Sequence, residues 1–285
     1  MPKRPSATFR KTAMLAATLL LSAASEAGAG PASPCAGRYG AMTAFPPVSG
    51  DARPKDAEDI LTLLDGKAWG VRERVTLTSP EGAPSPYVLE VAIPKGSINP
   101  GNEMAPRGGM GFRWRAGVPA DARAACLAYQ LWLPQDFDFN LGGKLPGIFG
   151  GTGPSGGELA DGVGGFSVRL MWRKGGAGEV YAYVPGHPDK RGRSIDRGAF
   201  VFPRGRWIRI EEEVVLNTPG RADGELRLWI DGHLRIAHSD MIYRVVPSLG
   251  IDGVFVDVFY GGKEPEWAAP KDTIVRFSPF ALGWR

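Results

Sequence analysis

The chain is poor in the residues that most often announce a metal, a cofactor or a nucleic-acid partner. Three histidines and two cysteines occur in 285 residues. His233 and His238 have no cysteine or carboxylate at ligand spacing, so neither a transition-metal site nor a cofactor is expected. No fixed-period repeat, heptad run or long amphipathic helix is present, which argues against a solenoid, a coiled coil and a membrane-surface helix. Zinc-finger, helix-turn-helix and RNA-binding signatures are missing as well. The apolar run from Ala13 to Ala24 is too short to span a bilayer.

That run has another reading. Lys3, Arg4, Arg10 and Lys11 precede it and Ala27-Gly28-Ala29 follows it, the basic start, apolar middle and small-residue site of a cleavable signal peptide. Residues 1–29 are therefore expected to be removed, with a mature start near Gly30 and a secreted or periplasmic location. Cys35 follows Ala32-Ser33-Pro34 and lacks a lipoprotein context, so no membrane anchor is expected. The net charge of +4 also resides mostly in the leader, whose removal leaves thirty basic and twenty-nine acidic residues. General basicity thus does not favour nucleic acid as a partner, and a polyanion would need a local patch.

What the chain has in plenty is punctuation, 40 Gly and 25 Pro. Residues 30–55 read as an extended leader and Asp56 to Leu64 as one short helix with acids in its first turn. Strands are expected at 70–79, 86–93, 110–115, 126–133, 165–172, 179–184, 207–216, 224–230, 233–238, 252–260 and 273–282. Asp231-Gly232 between two of them suits the positive φ of a two-residue hairpin. The economical architecture is all-β, a two-sheet antiparallel sandwich of β-jelly-roll type. It comprises an N-terminal extension, 30–66, and one domain, 67–285. A disulfide between Cys35 and Cys126 would pin the extension to the core, contributing ~3 to 5 kcal/mol.

Side chains alternate along a strand, which sorts the middle of the chain into faces. Phe166, Val168, Leu170 and Trp172 share one face, with Ser167 and Arg169 on the other. Val180, Ala182 and Val184 point one way, and Tyr181 and Tyr183 the other. A polar, aromatic sheet surface over a packed core results.

Gly142-Gly143-Lys144-Leu145-Pro146-Gly147, Phe166 to Trp172, Gly176 to Tyr183, Leu216-Asn217-Thr218-Pro219-Gly220, Leu228-Trp229-Ile230-Asp231-Gly232 and Phe259-Tyr260-Gly261-Gly262 together resemble polysaccharide lyase family 14. They follow the family's order over roughly residues 125 to 285. The resemblance implies a β-jelly roll and β-elimination on uronic-acid polysaccharides, chiefly alginate and in some members glucuronan. It also implies that Lys144 is catalytic, that Ser167 and Arg169 bind substrate, and that Tyr181 and Tyr183 line the cleft. The chain departs from many relatives in its glycine-rich Gly150–Gly165 segment, where loop length governs which substrates fit.

The chemistry asks for the same residue types. Elimination from a 4-linked uronide must neutralise the C6 carboxylate, remove the C5 proton and protonate the departing O4. Arg169 suits the first task without a metal, because a guanidinium makes bidentate, charge-assisted bonds to a carboxylate, and Ser167 can add a hydrogen bond. Lys144 becomes a base if a partly desolvated cleft beside Arg169 lowers its pKa. Tyr181 or Tyr183 serves as the acid, or one of them as the base with Lys144 as electrostatic partner.

His187, Lys190, Arg191, Arg193 and Arg197 form a basic loop after the Tyr strand, read chiefly as solvated charge. Two other functions remain open at this level. A glycoside hydrolase needs two carboxylates, for which Glu211 and Glu213 share a strand face beside Arg209; a carbohydrate-binding module would use the same sheet without turnover.

Overall fold

The computed structural model describes residues 1, 32–40, 42–186 and 190–285. The expected signal peptide, apart from Met1, and His187 lie outside the described residues. Three short helices, α1 (Pro34–Tyr39), α2 (Ala57–Thr62) and α3 (Val71–Arg74), accompany the strands. The first eight strands are β1 (Thr43–Phe45), β2 (Ala68–Trp69), β3 (Val75–Thr78), β4 (Val88–Ile93), β5 (Met110–Arg115), β6 (Ala124–Trp132), β7 (Gly142–Gly151) and β8 (Gly165–Arg173). The rest are β9 (Ala177–Tyr183), β10 (Arg193–Val201), β11 (Trp207–Val215), β12 (Gly224–Ile230), β13 (His233–Met241), β14 (Gly253–Tyr260), β15 (Thr273–Phe277) and β16 (Phe280–Trp284).

They form two antiparallel sheets, the layers of a jelly-roll sandwich. The larger runs β13-β12-β11-β6-β15-β4-β3, with β16 joining β6 to β1, and the smaller runs β10-β9-β8-β7-β14-β5-β2. Phe166, Val168, Leu170, Trp172, Val180 and Ala182 on the smaller sheet meet Leu127, Leu131, Ile208, Ile210 and Val214 on the larger, all essentially inaccessible. Each such side chain larger than alanine contributes about 1.5–3 kcal/mol by leaving water. The alternation read from the sequence is thus the inner face of β8 and β9. The Asp231-Gly232 hairpin is present, with φ of 52° and 77° and Ile230 paired to His233.

Local sequence misreads some elements. β7 holds five glycines and a proline in ten residues, poor strand chemistry by propensity, yet β8 and β14 flank it on both sides and their pairing overrides that preference. β10 occupies part of the stretch read as a basic loop. It is an edge strand whose pairing breaks between Ile195 and Phe200, where Asp196 and Gly198 have φ of 48° and 88°. The expected 273–282 strand divides at Ser278-Pro279 into β15 and β16, and 70–79 begins as α3. The helix at 56–64 is α2, capped by the Asp56 carboxylate on the Asp59 N–H at 3.0 Å.

The segment read as an extended leader carries α1, packed on the outer face of the larger sheet and joined to it by the Cys35–Cys126 disulfide. Glu211 accepts from the Ser33 hydroxyl at 2.5 Å and the Cys35 N–H at 3.1 Å, and pairs with Arg209 at 3.0 Å. Glu213 takes the Tyr39 hydroxyl at 2.6 Å, Arg38 at 3.1 Å and Arg227 at 2.7 Å. The two carboxylates weighed as a hydrolase pair are therefore fully buried anchors of α1, closed to any substrate.

Candidate active site on the seven-stranded sheet

The outer face of the smaller sheet gathers the polar residues of β8 and β9 with those of three other strands. Register sets them in rows across the strands. Tyr181, Arg169, Gly147, Phe255 and Arg113 are successive partners from β9 to β5. Beside that row lie Tyr183, Ser167, Phe149, Gly253 and Arg115, and on its other side Glu179, Met171, Lys144 and Phe259. Lys144 reaches this face because β7 slips register between Leu145 and Gly147. The extra residue is Pro146, which has no N–H for a ladder and is tolerated in such a bulge.

Lys144, Arg169, Tyr181, Tyr183 and Ser167, named from the sequence, are thus brought together. The Lys144 ammonium lies 3.3 Å from the centroid of the Tyr181 ring and 2.9 Å from Met171 Sδ. Burial holds its pKa well below the ordinary lysine value, and Arg169 and Arg173 push the same way. Tyr181 and Tyr183 meet edge to face at 5.8 Å; burial, then Tyr183, raises the Tyr181 phenol. Arg169 is 1% exposed and donates to Asp257 at 2.7 Å.

Asp257 is the principal residue that sequence reasoning passed over. Burial raises its pKa to about 6 against the pull of Arg169, Arg113 and Lys144, and the Trp69 indole N–H also bonds it. Gly111 makes room for that pair: a Cβ there would lie 2.1 Å from Trp69 Nε1 and 2.3 Å from Asp257 Oδ1. A lone acid between Val256 and Val258, alternating with Phe255 and Phe259, was the available signal. Arg197, from the expected basic loop, points to structure instead: it pairs with Glu179 at 2.7 Å, as does Arg173. Burial pushes Glu179 up, but Arg173, Ser194 and Arg197 together hold it below the usual carboxylate value.

Residues 152–164, the glycine-rich β7–β8 connection, form a strap over one side of the site. The Gly153 carbonyl accepts from Arg113 at 2.8 Å and the Pro154 carbonyl from Ser167 at 2.7 Å. The Gly156 N–H donates to the Tyr183 hydroxyl oxygen at 3.0 Å, leaving that phenol's proton free to be given elsewhere. Ser167 is fully buried beneath the strap. Elsewhere His238 pairs with Asp196 at 2.8 Å, and among the described residues no group of three or more His, Cys, Asp or Glu could hold a metal ion. Nor is any described helix long and apolar enough to cross a membrane.

Comparison with known proteins bears on the family and the fold. The family described as Polysaccharide lyase 14 matches residues 82–280. The crystal structure of the marine PL-14 alginate lyase from Aplysia kurodai is 30% identical over 81% of this chain and 96% of that one, with a TM-score of 0.70. An alginate lyase from Chlorella virus is 26% identical over 74% of this chain and 89% of that one, with a TM-score of 0.64. An endo-beta-1,4-glucuronan lyase from the fungus Trichoderma reesei, 13% identical over 73% of this chain and 86% of that one with a TM-score of 0.50, shares the fold. No curated protein sequence matches the chain.

Proposed function

The chain belongs to the polysaccharide lyase 14 family, and from that premise we propose that it cleaves a 4-linked polyuronate, alginate first and glucuronan second, by metal-independent β-elimination after export from the cell. The observation that carries this reading is a buried lysine amine set on a tyrosine ring beside a buried arginine. Such an amine is short of protons at a pH where an ordinary lysine is charged.

Arg169, steadied by Asp257, takes the substrate C6 carboxylate and draws off the charge that builds on it as the C5 proton leaves. Lys144 accepts that proton. The C5–H electron pair becomes the C4=C5 double bond, the C4–O4 bond breaks, and O4 takes the proton of Tyr183. The Tyr183 phenolate left behind keeps the Gly156 N–H as a donor, and the Lys144 ammonium lies over the Tyr181 ring, where a cation is favoured. Proton return from Lys144 to Tyr183 through solvent resets the site. Ser167 supports the strap and, when the strap lifts, the carboxylate.

The test is the ultraviolet band of an unsaturated uronide, followed while the protein is incubated with polymannuronate, polyguluronate and glucuronan. Wild type is expected to raise the band. Lys144→Ala should lower kcat by roughly 10²- to 10⁴-fold, and Tyr183→Phe comparably. New reducing ends without the band would mean hydrolysis; binding with neither would mean a carbohydrate-binding module.

A further inference from the structure

Arg113 plays no part in the elimination derived above, yet it stands in the same cross-strand row as Arg169. Its guanidinium carbon lies 4.1 Å from the centroid of the Phe255 ring, and that of Arg169 lies 4.3 Å from the same centroid. The two cations therefore cannot be further apart than the sum of those distances, a span on the scale of neighbouring sugars. Phe255 stands between the two arginines in the row, and Gly147 beside it adds no side chain, so both guanidiniums reach the same ring. In both arginines Nε is buried without a hydrogen-bond partner. Asp257 bonds Arg169 and, with Glu158 of the strap, acts on Arg113 through space only, whereas Arg113 bonds the Gly153 carbonyl alone among the polar contacts described for it. A half-buried cation with no acid bonded to it is costly unless an anionic ligand completes it.

We propose that Arg113 is a second carboxylate receptor, holding the uronate next to the one on Arg169, so that the cleft recognises a polymer by two consecutive carboxylates. Phe255 is the ring that the two guanidiniums of the clamp share. The proposal rests on the lyase reading and names the neighbouring subsite of that same cleft. A single acidic sugar meets one arginine; a run of uronates meets both. Arg113 acts in binding and stands apart from the transferred proton, so its loss falls on KM.

The experiment is steady-state elimination of polymannuronate and polyguluronate by wild type, Arg113→Gln and Arg115→Gln. Glutamine at 113 keeps an N–H donor, on a side chain two bonds shorter than arginine, while the charge is lost. Arg115 reaches the Gly151 carbonyl at the end of β7, next to the strap, but has Asp252 at 2.7 Å, and serves as the control. Because a charge-assisted hydrogen bond is worth about 1.5–3 kcal/mol, Arg113→Gln should raise KM roughly tenfold or more with kcat nearly kept. Its KM should also respond less to added salt than that of wild type, and Arg115→Gln should retain the wild-type KM. Wild-type turnover with an unchanged KM in Arg113→Gln, a loss confined to kcat, or equal losses in both variants would overturn the clamp alone. Absence of elimination by wild type on every polyuronate would overturn the lyase reading and the clamp with it.

Discussion

Lys144 sits on a strand between aromatic and sulfur neighbours, with two guanidiniums close enough to oppose its charge. The lysine must be neutral to accept a proton, so kcat/KM should rise with pH through an acid limb placed below the ordinary lysine range. Arg173 is one of the cations that depress that pKa, and it also compensates Glu179. In Arg173→Gln the cation is gone and the acid is less neutralised, and both changes favour the ammonium; the limb should move to higher pH in a rate profile. Glu212 offers a second titration, away from the cleft. Fully buried between the sheets, it accepts the Ile148 N–H at 3.1 Å, and burial raises its pKa well above 4.5. A folded pKa above the unfolded one gives stability that is complete below about pH 4.5 and is lost as pH rises toward the folded value. Glu212→Gln keeps an acceptor for Ile148, and urea melts at pH 5 and pH 8 should show its loss across that interval smaller than the wild-type loss.

At the scale of elements, β7 and its strap show where a sequence can and cannot be read. The alternations of β8 and β9 were legible because apolar and polar residues occupy opposite faces, and Ser167, Arg169, Tyr181 and Tyr183 followed from them. β7 was not, because Gly142 to Gly151 has almost no side-chain pattern and owes its strand state to both neighbours. Lys144 was found through the resemblance of its surrounding residues; its bulge, which decides the face it occupies, has no local signature beyond Pro146. Asp257 and Arg113 escaped notice because their roles depend on cross-strand partners distant in sequence. The strap has its own expected behaviour. Its apolar residues Leu159 and Val163 are 57% and 53% exposed, so it adds little to the core, while its backbone holds Ser167, Arg113 and Tyr183. Excising Ser155 to Asp161 should lower kcat about tenfold through loss of the Gly156 donor, with a melting temperature close to that of wild type by calorimetry.

For the whole molecule, the two sheets divide the labour: one carries the cleft, and the other carries the clip formed by α1, Glu211, Glu213 and the disulfide. The sandwich itself was visible from strand spacing and turn chemistry, whereas the clip's carboxylates looked catalytic because a sequence does not say which sheet covers them. The Cys35–Cys126 bridge closes a separation of 91 residues. In the chain-entropy account a loop of that size stabilises by about 4.5 kcal/mol. A Cys35→Ser, Cys126→Ser double variant should lose that order of stability in urea unfolding while keeping wild-type kcat, since the bridge lies on the sheet opposite the cleft.

With two cysteines in the entire chain, the bridge admits a single intramolecular pairing. Oxidation cannot trap a scrambled isomer within one molecule, so recovery from reduced, denatured protein calls for an electron acceptor but no shuffling catalyst. The first cysteine precedes its mate by 91 residues, and β6, which supplies the second, must lie against α1 before the sulfurs meet. Closure of the bridge therefore reports docking of the N-terminal clip, and trapping free thiols at intervals during refolding would time that event directly.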